Sequence, residues 1–226
     1  AMSDIEHKDK WLQAAASEIA ALESKGTWEE VPIAEAKTKV LPGTWVFKLK
    51  RTPDGTVSKH KGRYCVRGDM QEGDFETHSQ VVSWSSIRVF LVLSITMGWH
   101  TCSIDFSYAF VQAVLDEPVW IHLPRGFRSN STTGKTCLQL KKSLYGLSVA
   151  PRLWNEHLVA ALKAEGFKQS KYDSCLLMKP NMMMVLYVDD AGISAKNQKD
   201  VDVLIANLRN RGFELTREGS FSEFLG

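Results

Sequence analysis

The chain has 226 residues, 44% of them hydrophobic, and a formal charge of +2 from 28 Lys and Arg against 26 Asp and Glu; that is enough for one large domain or two small ones with a real core. The composition excludes a disordered chain, and the longest apolar run, Val89–Leu93 extended loosely to Met97, is too short to span a bilayer. Cys65, Cys102, Cys137 and Cys175 show neither CxxC nor Cys/His spacing, so no zinc site or disulfide framework is expected, and a cytoplasmic, non-secreted chain is.

Ala1 and Met2 read as an expression remnant. The first predicted element is an amphipathic helix over residues 8–25, with Trp11, Leu12, Ala15, Ile19 and Leu22 at helical spacing, Asp9 as a candidate cap and Gly26 as the stop. After Thr27-Trp28-Glu29-Glu30-Val31, residues 44–51 alternate as a strand, Pro53-Asp54-Gly55 signals a turn, and residues 57–67 return as a second strand. Ser83 is placed to cap a buried helix over residues 84–97, ended by Gly98. A strand ending at Asp105 follows, then a short helix near residues 107–113 and a strand over 119–123. A polar loop over 129–135 leads to a strand over 136–140.

Pro151 suits the first turn of a helix over residues 150–164, with Gly166 beyond its end. The segment 175–179 comes next, and Pro180-Asn181 turns the chain into the apolar strand 182–188. Residues 191–195 run back as another strand, residues 198–211 form a helix with Val201, Leu204, Ile205 and Leu208 on one face, and 213–216 form a last strand. From Trp99 onward the order strand, helix, β-hairpin, helix, strand is that of a split βαβ unit.

The small net charge hides two basic stretches. Lys48, Lys50, Arg51, Lys59, Lys61, Arg63 and Arg67 stand against Asp54 and Asp69, and residues 125–152 hold six basic side chains and no acidic one. Together they point to a polyanion partner, although either stretch alone reads as a solvated strand face.

Asp189 and Asp190 sit side by side at the end of the apolar run Met182–Val188. Adjacent carboxylates against a core repel one another and lose hydration, so they call for a cation. Asp105, at the end of another predicted strand, is the natural third member of a two-metal phosphoryl-transfer site. Taken singly, the pair also suits a turn and Asp105 a helix cap. The six histidines have no ligand spacing.

An ordered series of stretches now carries a resemblance: Thr27-Trp28-Glu29, Trp45-Val46-Phe47-Lys48, Asp54-Gly55, Lys61-Gly62-Arg63, Asp105 with Ala109-Phe110, Pro124-Arg125-Gly126-Phe127, Ser143-Leu144-Tyr145-Gly146-Leu147, Ala150-Pro151-Arg152-Leu153-Trp154, Tyr187-Val188-Asp189-Asp190 and Phe224-Leu225-Gly226. In this order, over nearly the whole chain, they resemble the reverse transcriptase of copia-type LTR retrotransposons. The resemblance implies an α+β right-hand polymerase with fingers and palm, the palm a split βαβ antiparallel sheet with helices on one face. The implied division is residues 1–26 as remnant and helix, 27–98 as fingers with a basic hairpin near 44–67 and the buried helix, 99–123 as first palm segment, 124–150 as return to the fingers, 151–220 as main palm, and 221–226 as the start of a primer-grip hairpin. Thumb and RNase H regions are expected elsewhere in a parent polyprotein.

By the same resemblance the chain is an RNA-directed, and also DNA-directed, DNA polymerase. Asp105, Asp189 and Asp190 would be catalytic and, with the Phe106 backbone carbonyl, would hold two Mg²⁺ or Mn²⁺ ions. Arg63 and one of Lys48, Lys50 and Arg51 would meet the triphosphate, Phe110 would gate the sugar, and Tyr145 and Gly146 would floor the nucleotide pocket. Pro151, Arg152, Tyr187, Phe224, Leu225 and Gly226 would face template and primer. The implied partners are RNA template, DNA primer, deoxynucleotides and RNA/DNA hybrid, inside cytoplasmic virus-like particles and without a membrane. The chain departs from the family pattern at Gly62-Arg63-Tyr64-Cys65, Ser148-Val149 and Ala113, which touches template contacts and efficiency more than the reaction. Because Phe224-Leu225-Gly226 resembles the start of the primer-grip hairpin, ahead of any thumb, a weakly active or non-processive fragment is expected, and a non-catalytic nucleic-acid-binding or assembly module is the alternative.

Overall fold

The computed structural model describes residues 7–52, 54–73, 75–129, 131–132 and 134–219. In chain order the elements are α1 (Lys8–Ser24), β1 (Trp28–Pro32), β2 (Gly43–Arg51), β3 (Val57–Val66), α2 (Trp84–Thr96), β4 (His100–Phe106), β5 (Val114–Ile121), β6 (Thr136–Lys142), α3 (Ala150–Ala164), β7 (Lys168–Gln169), β8 (Leu176–Lys179), β9 (Met182–Tyr187), β10 (Asp190–Ala195), α4 (Gln198–Asn210) and β11 (Leu215–Glu218). The short helix predicted near 107–113 is a single 3-10 turn, Ala109–Gln112. It is a mixed α/β fold with antiparallel sheets, divided into two compact units: residues 1–77 with 113–153, and residues 78–112 with 154–226.

In the first unit α1 buries Trp11, Ala15, Ile19 and Leu22, each of the large side chains contributing about 2 kcal/mol by leaving water. Trp11 meets the rings of Phe47 and His60. Gly26, at φ +62°, ends the helix: its N–H donates to the Glu23 carbonyl and that of Thr27 to the Leu22 carbonyl. Asp9 lies inside the first turn rather than at the cap, which is His7; an acidic group there faces the positive end of the helix dipole, so the same signal fits both places. The β2–β3 hairpin turns through Thr52–Thr56, with Gly55 at φ +86°; Pro53 lies outside the described residues. A three-stranded sheet, β1-β6-β5, completes the unit.

The second unit is built on the six-stranded sheet β11-β4-β10-β9-β8-β7. Because β10 is antiparallel to both β4 and β9, those two run parallel with β10 between them, a split βαβ. Met182, Met184 and Leu186 of β9 join a core with Trp154, Leu158 and Leu162 of α3 and Val201, Leu204 and Leu208 of α4. Met183 and Val185 point the other way, onto Phe90 of α2.

Helices therefore cover both faces, where one covered face is the sequence expectation. The continuous apolar run of β9 is the pattern of a strand buried on both sides. The helix expected to be buried, α2, is only half so: Ile87 and Phe90 are buried, while Trp84 is 69% and Ile95 80% exposed. Its apolar residues surround the helix, so periodicity could not separate its two sides. Ser83 caps it as expected, accepting from the Ser86 N–H at 3.2 Å.

Candidate carboxylate site and basic hairpin

The strand pairing brings Asp105, Asp189 and Asp190 of the second unit to one end of its sheet. Asp190 is the first residue of β10 and stands opposite Asp105 of β4. Asp189 lies in the two-residue turn between β9 and β10, where Tyr187 pairs with Asp190. The Phe106 N–H donates to the Asp189 carbonyl at 2.8 Å, tying this turn to the strand that carries Asp105. Burial first, then the charges of Asp189, Asp105 and Glu218, push the Asp190 carboxyl up to about 6. Glu218, on β11 beside β4, is an acidic neighbour that sequence reasoning missed; no motif marks it, and only the sheet order brings it near.

These are the conditions under which a divalent cation fits, since it would relieve like charges gathered at a partly buried sheet end. Among the described residues no group of three or more His, Cys, Asp and Glu side chains is arranged to hold a metal ion by itself. An open set suits Mg²⁺, which takes one or two carboxylates and completes its octahedron with water and substrate phosphate. In the same unit Phe110 lies in the 3-10 turn after β4, half-buried against the core, and Tyr187 is half-buried at the end of β9.

The first unit holds the basic residues. Register pairs Val46 with Arg63, Lys48 with Lys61 and Lys50 with Lys59, and directly opposite residues share a face. Arg63, Lys48, Lys61, Lys50 and Lys59 therefore line one face of the hairpin, while Trp45, Phe47 and Tyr64 pack on the other. Like charges directly opposite are destabilising, so gathering them on this face costs the hairpin some stability. Lys59 and Lys61 belong to it as fully as Lys48 and Lys50; alternation across the Asp54-Gly55 turn was the signal that could have placed them. Arg51 is drawn aside by a register shift at the hairpin end and donates to the Gly55 carbonyl at 2.7 Å.

Arg63 and Tyr145 come together, the guanidinium lying 4.4 Å from the ring centroid. Two backbone contacts hold Tyr145 there: the Val66 N–H donates to its carbonyl at 2.7 Å, and the Gly68 N–H to that of Gly146 at 3.2 Å. Gly146, at φ +92°, has no room for a side chain, since a Cβ would fall 2.0 Å from the Val66 oxygen. Pro151 sits in the first turn of α3. Arg152 is occupied within its unit, by Asp116 at 2.9 Å and the Glu76 carbonyl at 2.8 Å. Phe224, Leu225 and Gly226 lie outside the described residues.

An antiparallel α/β domain with acidic side chains gathered at one sheet end, and a separate hairpin with a basic face, is the class these observations define. The chain belongs to the reverse transcriptase (RNA-dependent DNA polymerase) family, whose model matches residues 25–226. It is 31% identical over 225 residues to the retrovirus-related Pol polyprotein from transposon RE1 of Arabidopsis thaliana, an alignment covering 96% of this chain and 15% of that protein. Against the corresponding polyprotein from transposon TNT 1-94 of Nicotiana tabacum the identity is 30% over 227 residues, with 97% and 17% covered. The transposon Ty1-BL Gag-Pol polyprotein of Saccharomyces cerevisiae is 28% identical over 214 residues, with 91% and 12% covered. The chain thus spans about a sixth or less of the length of these relatives. No helix among the described residues is long and apolar enough to cross a membrane.

Proposed function

We propose that this chain is the fingers and palm of a retrotransposon reverse transcriptase, adding deoxynucleotides to a primer 3′ end on RNA and DNA templates. The observation that carries this reading is the register of Asp190 opposite Asp105, with Asp189 in the adjoining turn, in a chain of this family. In this reading the fingers are residues 27–98 with 124–150 and the palm 99–123 with 151–220, while the compact units divide at residues 78, 113 and 154.

Asp105 and Asp189, completed by the Phe106 carbonyl and Asp190, would hold two Mg²⁺ or Mn²⁺ ions, which when bound supply Lewis acidity to the primer hydroxyl and charge neutralisation to the departing pyrophosphate. The chain's own side chains contribute position and charge, which is most of what phosphoryl transfer asks of a protein. On the hairpin, Arg63 takes phosphate oxygens through its planar fork, with Tyr145 holding the guanidinium, and Lys48 or Lys50, on the same face, adds a second charge. Phe110 excludes a ribose 2′-hydroxyl, and Tyr145 and Gly146 support the nucleotide. Pro151, Tyr187 and residues 224–226 serve template and primer, and Arg152 fixes the start of α3 through Asp116. The polymerase acts with thumb and RNase H regions of a parent polyprotein, in virus-like particles in the cytoplasm.

The test is single-nucleotide addition to a primed RNA template. Mg²⁺-dependent addition that disappears with EDTA is the expected result for this chain. Tight primer–template binding without any addition would overturn the catalytic reading and favour a binding module.

A further inference from the structure

The turn that carries Asp189 is strained. Val188 has φ +52°, a conformation that is a genuine outlier for a β-branched residue and that places a bulky side chain where two-residue hairpin turns ordinarily use glycine or asparagine. Such a turn persists only if its surroundings hold it. One of its ties is the Phe106 N–H bond to the Asp189 carbonyl, at 2.8 Å. The other comes from α3: the indole N–H of Trp154 donates to the Val188 carbonyl at 2.6 Å.

Trp154 is placed to do this with little freedom. It is 1% exposed, with its ring edge-on to Phe106 at 5.1 Å and to Phe213 at 6.0 Å. Phe106 follows Asp105 directly in sequence, and Val188 directly precedes Asp189. A single locked side chain therefore touches the immediate neighbours of Asp105 and Asp189, by ring packing on the strand and by a hydrogen bond on the turn. Core packing alone would account for the ring contacts. A buried indole N–H needs an acceptor, and the one it meets here is the carbonyl of the residue with positive φ in this turn.

We propose that Trp154 is a positioning residue: its indole N–H holds Val188 in the left-handed region and thereby fixes Asp189 and Asp190 against Asp105. The catalytic consequence rests on the polymerase reading above, but the positioning itself is measurable without it. Hydrogen exchange in the metal-free chain gives the direct readout, because the Phe106 amide reports closure of the turn onto β4, while the Leu186 amide, bonded to the Cys175 carbonyl at 2.9 Å, reports the sheet elsewhere. In the parent, the Trp154 indole N–H should itself be strongly protected; exchange at the rate of a free indole would overturn the proposal without any variant.

Trp154→Phe keeps a ring and removes the donor. It should speed Phe106 amide exchange about tenfold or more while changing Leu186 less than threefold, and Val188→Asn, which tolerates positive φ, should largely cancel that effect in the double variant. Equal acceleration at both amides, or no suppression by Val188→Asn, would assign Trp154 to packing alone. In nucleotide addition, Trp154→Phe should lower kcat about tenfold with little change in primer–template Kd. A parent that adds no nucleotide would remove the polymerase reading and leave the exchange result to decide the role of Trp154.

Discussion

Asp190 and Asp105 face each other across the β4–β10 pair, a juxtaposition of like charges that the metal-free chain has to tolerate. Opposed like charges on neighbouring strands cost up to about 1 kcal/mol where solvent screens them. Asp190→Asn should therefore raise the melting temperature in EDTA by a few degrees. Mg²⁺ should raise that of the parent and raise that of the variant less, since a ligand stabilises only the form that binds it. A thermal melt with and without Mg²⁺ checks both; a variant less stable than the parent in EDTA would show that the opposed pair is not repulsive.

The basic face of the hairpin makes a second trade. Lys50 stands opposite Lys59, so Lys50→Glu should stabilise the chain by about 0.5 kcal/mol through the new cross-strand pair. The same change should weaken primer–template binding, and Lys50→Ala or Lys59→Ala should each reduce the slope of log K against log salt by about 1 if the lysine meets a phosphate. A salt titration of fluorescence anisotropy measures this; unchanged slopes would remove nucleic acid from this face.

At Gly146 the backbone of residues 145–147 lies close against that of Val66. Its positive φ and the Val66 oxygen 2.0 Å from an added Cβ make Gly146→Ala a backbone clash, not a side-chain adjustment. We expect a loss of about 3 kcal/mol or more, read by chemical denaturation. Tyr145 should also separate from Arg63, read as faster exchange at the Val66 amide, which now donates to Tyr145.

Asp173 links the start of α2 to the segment before β8. Burial opposes its ionisation, but donation from the Ser86 hydroxyl at 2.6 Å, the Ser83 N–H and the Cys175 N–H outweighs it and holds the carboxyl below its usual range. A carboxylate depressed in the folded state contributes stability that is complete above its unfolded value of about 3.9 and is lost as pH falls through the folded value. Asp173→Asn should thus cost about 1–2 kcal/mol at neutral pH, and the difference from the parent should shrink below about pH 4. A pH-independent difference in denaturant midpoints would contradict this.

Local signals carried much of this architecture. The Asp54-Gly55 turn with alternating strands predicted the hairpin, Pro151 and Gly166 bracketed α3, and the acidic pair after an apolar run marked the β9–β10 turn, each because the determinant lies within a few residues of the feature. Features set by distant partners were not legible. β1 gains its strand character by pairing Trp28 with Leu140, and β5 begins at Val114 rather than 119 because Val114 pairs with Lys142 of β6 across a register shift. Val188 runs against propensity outright: nothing in its type predicts a positive φ, and the Trp154 donor that accompanies it lies on another element. The acidic residues could be named from the sequence, whereas the opposition of Asp190 rather than Asp189 to Asp105 required the strand register.

The central claim, that Asp105 and Asp189 are the catalytic carboxylates, is tested most directly by single-turnover nucleotide addition with Asp105→Asn and Asp189→Asn on a primed RNA template in Mg²⁺. The account predicts that each neutral isostere lowers the rate about a thousandfold or more while primer–template Kd changes only a few-fold, the pattern of an interaction made in the transition state. Either variant retaining a rate within tenfold of the parent would contradict it.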